Sequence, residues 1–203
     1  ADARENIHFL PGYPLPENLE FEPDDAKIAD GAELLISAVP CQFIRPVWQR
    51  LKPHISAGIP IISVAKGVEN QTLLRPTEVL ADVLECDKGL AVFSGPTIAD
   101  ELAQKLPATA TITSKDDQLA KKLQETLTVP WLRVYTNDDI LGVELAGAMK
   151  NVIAIAAGFI DGIKAGDNAK AALLARGLTE IQRLGIAMGA SVKTFAGLSG
   201  LGD

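Results

Sequence analysis

A single lysine interrupts an otherwise apolar helical segment, and it is the residue in this sequence best placed to do chemistry. Residues 145–160 read LAGAMKNVIAIAAGFI, in which Lys150 is the one charged residue. Its neighbours on the helix are small, so a ligand or another backbone can approach closely. A buried ammonium needs an anionic partner, which makes Lys150 a candidate active-site acid or base. The alternative is a lysine that reaches water or forms a structural ion pair.

The same segment carries an apolar stripe that predicts which face of the helix packs on the core. Large apolar side chains recur at helical spacing, namely Leu145, Met149, Val152, Ile155 and Phe159. We therefore expect this stripe to be buried and Lys150 to lie on a different face, among alanines and glycines.

Two further candidate sites follow short apolar strands, where ligands gather in open α/β sheets. Lys66 ends the strand predicted at 60–65, and Gly67 permits a turn there; the alternative is an exposed loop lysine. Gly95 and Thr97 follow the strand predicted at 90–94 and offer a backbone N–H and a hydroxyl at a helix start. Such a start favours phosphate, although simple helix capping is the commoner explanation.

A weaker candidate follows the strand predicted at 34–39. Pro40 turns the chain there, and Phe43 offers a flat ring on which a ligand can stack. The alternative is that Phe43 is an ordinary core residue at the start of a helix.

Strand and helix patterns alternate as far as residue 137, and only helix patterns follow. Apolar strands separated by helices indicate a mostly parallel sheet covered on both faces. We predict an α/β domain at residues 1–137 and the start of an all-helical domain at 138–203. The strands are predicted at 34–39, 60–65, 90–94, 108–113 and 131–136, and the helices at 43–54, 73–84, 98–105, 116–127, 140–160 and 169–188.

The two ends of the sequence predict a fragment. Residues 1–24 have the pattern of a loop entering mid-domain, and no GxGxxG turn occurs, although nucleotide-binding α/β folds carry one after their first strand. The sequence stops in a glycine-rich turn at residues 196–203. The alternative is a complete small α/β protein.

Charge and composition argue against several kinds of partner. The net charge is −7 and no long basic run occurs, which disfavours nucleic acid and anionic membrane surfaces. The longest apolar helix contains Glu144, Lys150 and Asn151, so we expect no integral membrane association.

Cysteine and histidine usage predicts a reduced, metal-free protein. Cys41 and Cys86 form no CxxC pair, which is typical of a cytoplasmic protein without disulfides. His8 and His54 are too few and too far apart to predict a metal site.

Several sequence blocks, in order along nearly the whole chain, resemble the NAD(P)-dependent glycerol-3-phosphate dehydrogenases of the bacterial type. The blocks KGVE, SGPT and GAMKNVIAIAAG are the most specific, because their order and spacing rarely arise by chance. The full set is NIHFLPG, AVPCQF, SVAKGVE, SGPTIADEL, VELAGAMKNVIAIAAGFIDG, NAKAALLARGLTEI and AGLSGLGD.

The resemblance implies a role for each matching residue. Lys150 matches the catalytic lysine that exchanges a proton with the substrate oxygen, and Asp203 matches an aspartate that partners it. Lys66 matches a second active-site lysine, which binds substrate near the cofactor. The remaining matches are Asn151 for positioning substrate, Gly95 and Thr97 for substrate contact, and Pro40, Phe43 and Ala99 for cofactor contact.

The resemblance also implies a Rossmann-like doubly wound sheet that lacks its first βαβ unit here. It implies NAD or NADP as the cofactor, a homodimer, a cytoplasmic location, and interconversion of glycerol 3-phosphate and dihydroxyacetone phosphate for phospholipid synthesis. The GxGxxG turn and the residue that separates NAD from NADP are expected before Ala1, and an Arg-Asn pair for substrate phosphate after Asp203. We therefore expect these 203 residues alone to be inactive.

Two other readings remain open at this point. A different two-domain dehydrogenase, acting on a hydroxy acid or a sugar acid, shares the layout and a helix lysine followed by asparagine. A non-enzymatic reading treats the chain as a nucleotide-sensing or scaffold module, in which Lys66 and Lys150 have no catalytic role.

Overall fold

A sheet flanked by helices occupies the middle of the chain, and helices alone follow it. The computed structural model describes residues 4–200 and residue 202. Short 3₁₀ turns at Cys41–Phe43 and Lys52–His54 flank the first helix. The elements are β1 (Glu5–Asn6), β2 (Leu10–Pro14), β3 (Leu35–Ser37), α1 (Ile44–Leu51), β4 (Ile61–Ser63), α2 (Pro76–Leu84), β5 (Leu90–Ser94), α3 (Ala99–Ala103), β6 (Ala108–Ser114), α4 (Asp117–Leu127), β7 (Leu132–Asn137), α5 (Ile140–Gly162), α6 (Asp167–Met188) and α7 (Val192–Phe195).

Within the described residues the main sheet has five strands in the order β3-β4-β5-β6-β7. Neighbouring strands are parallel except for β5 and β6, which are antiparallel. The connection between those two strands contains only the short helix α3, which has five residues and covers about 8 Å.

Helices cover both faces of the sheet, because successive strand residues point to opposite sides. Ile61 and Leu90 pack against α1 and α2, whereas Ile62 and Ala91 pack on the other face with Leu123 of α4. This arrangement confirms the predicted fold class, a doubly wound Rossmann-like sheet followed by a helical region.

The helical region packs around Phe195, the last residue of α7, which is fully buried against α5 and α6. Asp139 fastens the start of α5 to this cluster. Its Oδ1 accepts a hydrogen bond from the Gly142 backbone N at 2.8 Å, and its Oδ2 accepts from Ser191 N at 2.8 Å and Thr194 Oγ1 at 2.7 Å.

Within the part of the chain that the structure describes, the predicted core stripe of α5 is wrong beyond Met149, which packs against the buried cluster around Phe195. Leu145 is buried, but Val152, Ile155 and Phe159 are 59%, 75% and 67% exposed. The buried stripe instead includes Ile153, because α6 brings Gly177 against that side chain. The spacing of apolar residues alone did not distinguish these two neighbouring faces.

Two smaller predictions also need correction, and one helix was missed. The region expected to be a loop at the start contains the antiparallel hairpin β1–β2. The helix expected from residue 73 begins at Pro76, because Leu73 has a φ of +58° and the residue before a proline is driven out of helical geometry. The short helix α7 was not predicted.

Helix α5 is also the one candidate membrane span found among the described residues. It has 23 residues and a mean hydropathy of 1.6 over its most apolar window. Length and composition alone are weak grounds for a span, because core helices of globular proteins have the same properties.

Candidate active site

Lys66 lies in the loop after β4, which ends at Ser63 and not at residue 65 as predicted, and its side chain extends toward the loop that follows β5. Its Nζ donates a hydrogen bond to the Gly95 carbonyl oxygen at 3.4 Å, and the residue is half-buried. Gly67 next to it has a φ of +126°, and a Cβ there would lie 3.3 Å from Cβ of Cys41. The loop after β4 therefore turns tightly against the segment that follows β3.

Gly95 and Thr97 form the neighbouring part of the site, directly after β5. The Thr97 hydroxyl donates to the Gly95 carbonyl oxygen at 3.2 Å, so this carbonyl accepts from both Lys66 and Thr97. Gly95 has a φ of +150°, and a Cβ there would lie 2.9 Å from Cα of Ala110 on β6. Only glycine fits this position without moving the sheet.

Gln42 joins the segment after β3 to the loop that carries Lys66. Its Nε2 donates to the Val68 carbonyl oxygen at 2.7 Å, and its Oε1 accepts from the Asn70 backbone N at 3.0 Å. Pro40 and Phe43, on either side of Gln42, are exposed. The segment after β3 and the loop after β4 therefore form one continuous surface.

A second contact that holds the same loop is an ion pair between Arg45 and Glu69. Nε and Nη2 of Arg45 donate to the two carboxylate oxygens at 2.9 Å each, and Thr72 Oγ1 donates to the same carboxylate. The hydrogen bonds from Arg45 and then Thr72 hold the pKa of Glu69 below its usual value, and the pKa of Arg45 is raised in turn. The loop after β4 is therefore fixed at residues 68–70 by Gln42 and Arg45.

Helix α5 brings Lys150 toward this surface. A Cβ placed on Gly147 would lie 3.1 Å from Ser94 Oγ and 3.6 Å from Lys66 Cγ, so the helix backbone lies close to the ends of β4 and β5. Lys150 follows one turn later on the same side of the helix. It lines a cavity of about 270 Å³ together with Phe195 and Gly200.

The remaining predicted site residues are Asn151, Ala99 and Asp203. Asn151 and Ala99 are exposed, on α5 and at the first position of α3. Asp203 lies outside the described residues. Burial raises the pKa of the Cys41 thiol. Among residues 4–200 and 202, no group of three or more His, Cys, Asp or Glu side chains is arranged to hold a metal ion.

The sequence reading missed the residues that hold this surface together. Gln42, Arg45 and Glu69 act through partners more than 20 residues away, so no local pattern marks them. Glu69 did lie within the KGVE block, and Ser94 within SGPT. Those two blocks were therefore the features of the sequence from which Glu69 and Ser94 could have been identified.

Comparison with known proteins shows the family of the chain. The family described as NAD-dependent glycerol-3-phosphate dehydrogenase N-terminus matches residues 1–120, and its C-terminus counterpart matches residues 139–203. A protein of Solidesulfovibrio magneticus named glycerol-3-phosphate dehydrogenase (NAD(P)+) is 45% identical over 99% of this chain and 61% of its own length. One of Corynebacterium glutamicum with the same name is 43% identical over 100% of the chain and 61% of its own length.

Solved structures give the same result. A glycerol-3-phosphate dehydrogenase from Coxiella burnetii has a TM-score of 0.93 at 40% identity, covering 100% of this chain and 62% of that one. A structure titled as DsGPDH of Dunaliella salina has a TM-score of 0.90 at 27% identity, covering 98% of this chain and 35% of that one.

The fold and the clustered strand ends define a Rossmann-like α/β protein with an attached helical region. Within that class, the family matches cover most of the sequence. The chain belongs to the NAD-dependent glycerol-3-phosphate dehydrogenase family. It spans about three fifths of the length of the curated relatives it matches.

Proposed function

We propose that the full-length protein interconverts sn-glycerol 3-phosphate and dihydroxyacetone phosphate with NAD(H) or NADP(H). The observation that carries the proposal is the meeting of Lys66, Gly95 and the Lys150-bearing helix at the ends of β4 and β5. In a chain of this family, that meeting point provides cations where an anionic substrate and a developing alkoxide need them.

Lys150 is the proposed proton carrier. When a ketone is reduced, negative charge develops on its oxygen, and a positioned ammonium stabilises that charge and then donates a proton. In the reverse direction the neutral amine accepts the hydroxyl proton. Asp203 is proposed to partner Lys150, and Asn151 to orient the substrate.

Lys66, Gly95 and Thr97 are the proposed substrate contacts. Lys66 offers an ammonium that is oriented by its hydrogen bond to the Gly95 carbonyl. Thr97 offers a hydroxyl oxygen whose hydrogen already has an acceptor. A rigid, preoriented cation binds an anionic group with less loss of side-chain entropy than a mobile one.

The nicotinamide cofactor fits the residues on the neighbouring surface. Pro40 and Phe43 are exposed beside the Lys66 loop, and the Phe43 ring is 60% exposed, which leaves its face open to a ligand. These two residues and Ala99 are proposed to hold the cofactor, and Lys66 to lie near it. When bound, the nicotinamide supplies the hydride chemistry.

The family match favours this reaction over the two alternatives that the sequence left open. A hydroxy-acid or sugar-acid dehydrogenase would share the layout but not the family-specific blocks at both ends of the chain. A scaffold module would not need the contacts of Gln42 and Arg45 that fix the loop carrying Lys66. We further propose a cytoplasmic homodimer that supplies glycerol 3-phosphate for phospholipid synthesis.

The test is oxidation of NADH and of NADPH by the full-length protein, including any residues that flank these 203, with dihydroxyacetone phosphate. Turnover with at least one nucleotide is expected, and the ratio of the two rates gives the coenzyme preference. A folded protein that turns over neither would refute the proposal. Turnover with hydroxy-acid substrates instead would support the alternative dehydrogenase.

A further inference from the structure

Glu144 is a carboxylate buried between the sheet-bearing part of the chain and the helices. Its side chain is 1% exposed, and three donors at the start of α2 surround it. Arg75 Nη1 donates at 2.6 Å, the Thr77 backbone N at 2.8 Å and Thr77 Oγ1 at 2.7 Å. A buried charge persists only when it is paired and hydrogen-bonded. The three donors satisfy that requirement.

Stability alone is a weak explanation for this contact. Burial raises the pKa of Glu144, while the hydrogen bonds from Thr77 and the charge of Arg75 oppose that rise. A well-packed apolar residue at such a position often gives equal or greater stability than a buried ion pair. A directional contact, in contrast, specifies one arrangement of two elements, which points to a role in placement.

The element that Glu144 places is the helix that carries Lys150. Gly147 lies three residues after Glu144 and Lys150 six residues after it, so all three share one rigid rod less than two turns long. Beside the contact lies a cavity of about 360 Å³, lined in part by Arg75 and Ile140. The cavity leaves that side of the contact without side-chain packing between α2 and the start of α5, and the three hydrogen bonds to Glu144 are the directional contacts that set the rotation of α5 against α2.

We propose that Glu144 is a positioning residue, which fixes α5 against the start of α2 and thereby sets where the Lys150 amine lies relative to Lys66 and Gly95. The inference rests on the proposed function, in which Lys150 carries the proton. A misplacement of about 1 Å at a reacting group can lower the rate about 10²-fold. Glu144 itself need not touch the substrate to have that effect.

The test compares Glu144→Gln and Glu144→Asp in the full-length protein, assayed with dihydroxyacetone phosphate well below the unfolding temperature. Gln keeps the length but loses the charge, and Asp keeps the charge but loses one methylene of reach. For both we expect kcat to fall about 10- to 100-fold, with the KM for the nucleotide within about twofold, because the nucleotide surface does not involve α5. A purely structural role would lower the unfolding temperature and leave kcat unchanged.

Glu78→Gln is the matched control. Glu78 is the other partner of the same Arg75, at 2.6 Å, and its side chain is 41% exposed. Its loss should leave kcat within about twofold, since Glu144 keeps all three donors. If Glu144→Gln does not fold, Thr77→Val removes one donor and should still lower kcat several-fold.

The outcomes separate this inference from the proposed function. Wild-type turnover together with unchanged kcat in folded Glu144 variants, or in Thr77→Val, would overturn the positioning role alone. Absence of wild-type turnover would overturn both. A kcat loss in the Glu144 variants that Glu78→Gln does not share would support the positioning role.

Discussion

At the scale of single residues, the proposed site contains two lysines within an acidic chain. The net charge is −7, while Lys66 and the helix that carries Lys150 both lie beside the end of β5. In the proposed function, an anionic substrate is attracted by these two lysines and not by the general field of the protein. The role of each lysine can be tested separately, because they lie on different elements.

Replacing Lys150 by Ala should lower kcat at least about 10²-fold, because general acid–base assistance is typically worth 10²–10⁴-fold. The measurement is steady-state turnover of the full-length protein with dihydroxyacetone phosphate. Lys164→Ala is the matched control, since Lys164 is an exposed lysine just after the same helix. Near-normal turnover in Lys150→Ala would exclude the assigned role.

Replacing Glu69 by Gln should destabilise the protein at neutral pH and make its stability less sensitive to acid. Because Arg45 lowers the folded pKa of Glu69 from 4.5, this carboxylate stabilises the fold above that pH, and its contribution is lost as the pH falls through the lowered value. We expect a loss of about 1.5–3 kcal/mol at pH 7.

The measurement is urea unfolding of wild type and Glu69→Gln from pH 7 down to pH 3. The difference in unfolding free energy should shrink as the pH falls. Asp82→Asn removes the exposed second partner of Arg45 and should cost about 1 kcal/mol or less. A difference between wild type and Glu69→Gln that stays constant with pH would contradict the assignment.

At the scale of elements, α5 and α6 approach their neighbours through glycines, but not all of their glycines serve this purpose. A Cβ on Gly185 of α6 would lie 2.1 Å from the Phe195 ring, whereas a Cβ on Gly158 of α5 would meet nothing within 4 Å. Identical residue types in helix interiors therefore have opposite expected responses to the same substitution.

Gly185→Ala should destabilise the protein toward the upper end of the usual 1–3 kcal/mol overpacking cost, because Phe195 is fully buried and cannot move aside. Gly158→Ala should stabilise it by roughly 0.5–1 kcal/mol through helix propensity. Both changes are measured by chemical unfolding of the 203-residue chain, because the surroundings of the two glycines are described for these residues. Equal effects of the two substitutions would show that the close approach to Phe195 is wrong.

The same elements show what the sequence could predict. β5 was predicted with its observed bounds, Leu90–Ser94, because an apolar run ends there at a Gly-Pro turn. The buried face of α5 was predicted wrongly, since it depends on where α6 packs. The sequence pointed to Lys66, Gly95 and Lys150 because they follow predicted strands or interrupt an apolar helix. Gln42 and Glu69, which hold the loop that carries Lys66, could be identified only from three-dimensional contacts.

At the scale of the whole molecule, α5 joins the sheet-bearing part to the helices through carboxylates. Asp139 contacts α7 and the turn before it, and Glu144 contacts α2. These contacts lie less than two turns apart on one rod. The two parts of the molecule are therefore held in register near the start of the helix that carries Lys150.

Asp139→Ala should cost about 2–3 kcal/mol, because it removes a helix cap and two hydrogen bonds to other elements. Amide hydrogen exchange should rise around α7 and the end of α6, while β4 and β5 stay protected. Asp116→Ala removes a cap of the same kind whose hydrogen bonds, to Gln118 N and Leu119 N, stay within α4. It should cost about 1 kcal/mol and leave exchange in α7 unchanged.

Gly95 has a consequence for inherited variation in this protein. Its positive φ and its close approach to Ala110 of β6 tie it to the edge of the sheet, and its carbonyl makes it part of the surface around Lys66. The fold and the proposed active-site surface therefore both depend on one residue without a side chain. Missense alleles at this codon should lower the amount of protein in the cell as well as its activity, so a screen for variants that lose activity at a normal protein level would not recover them.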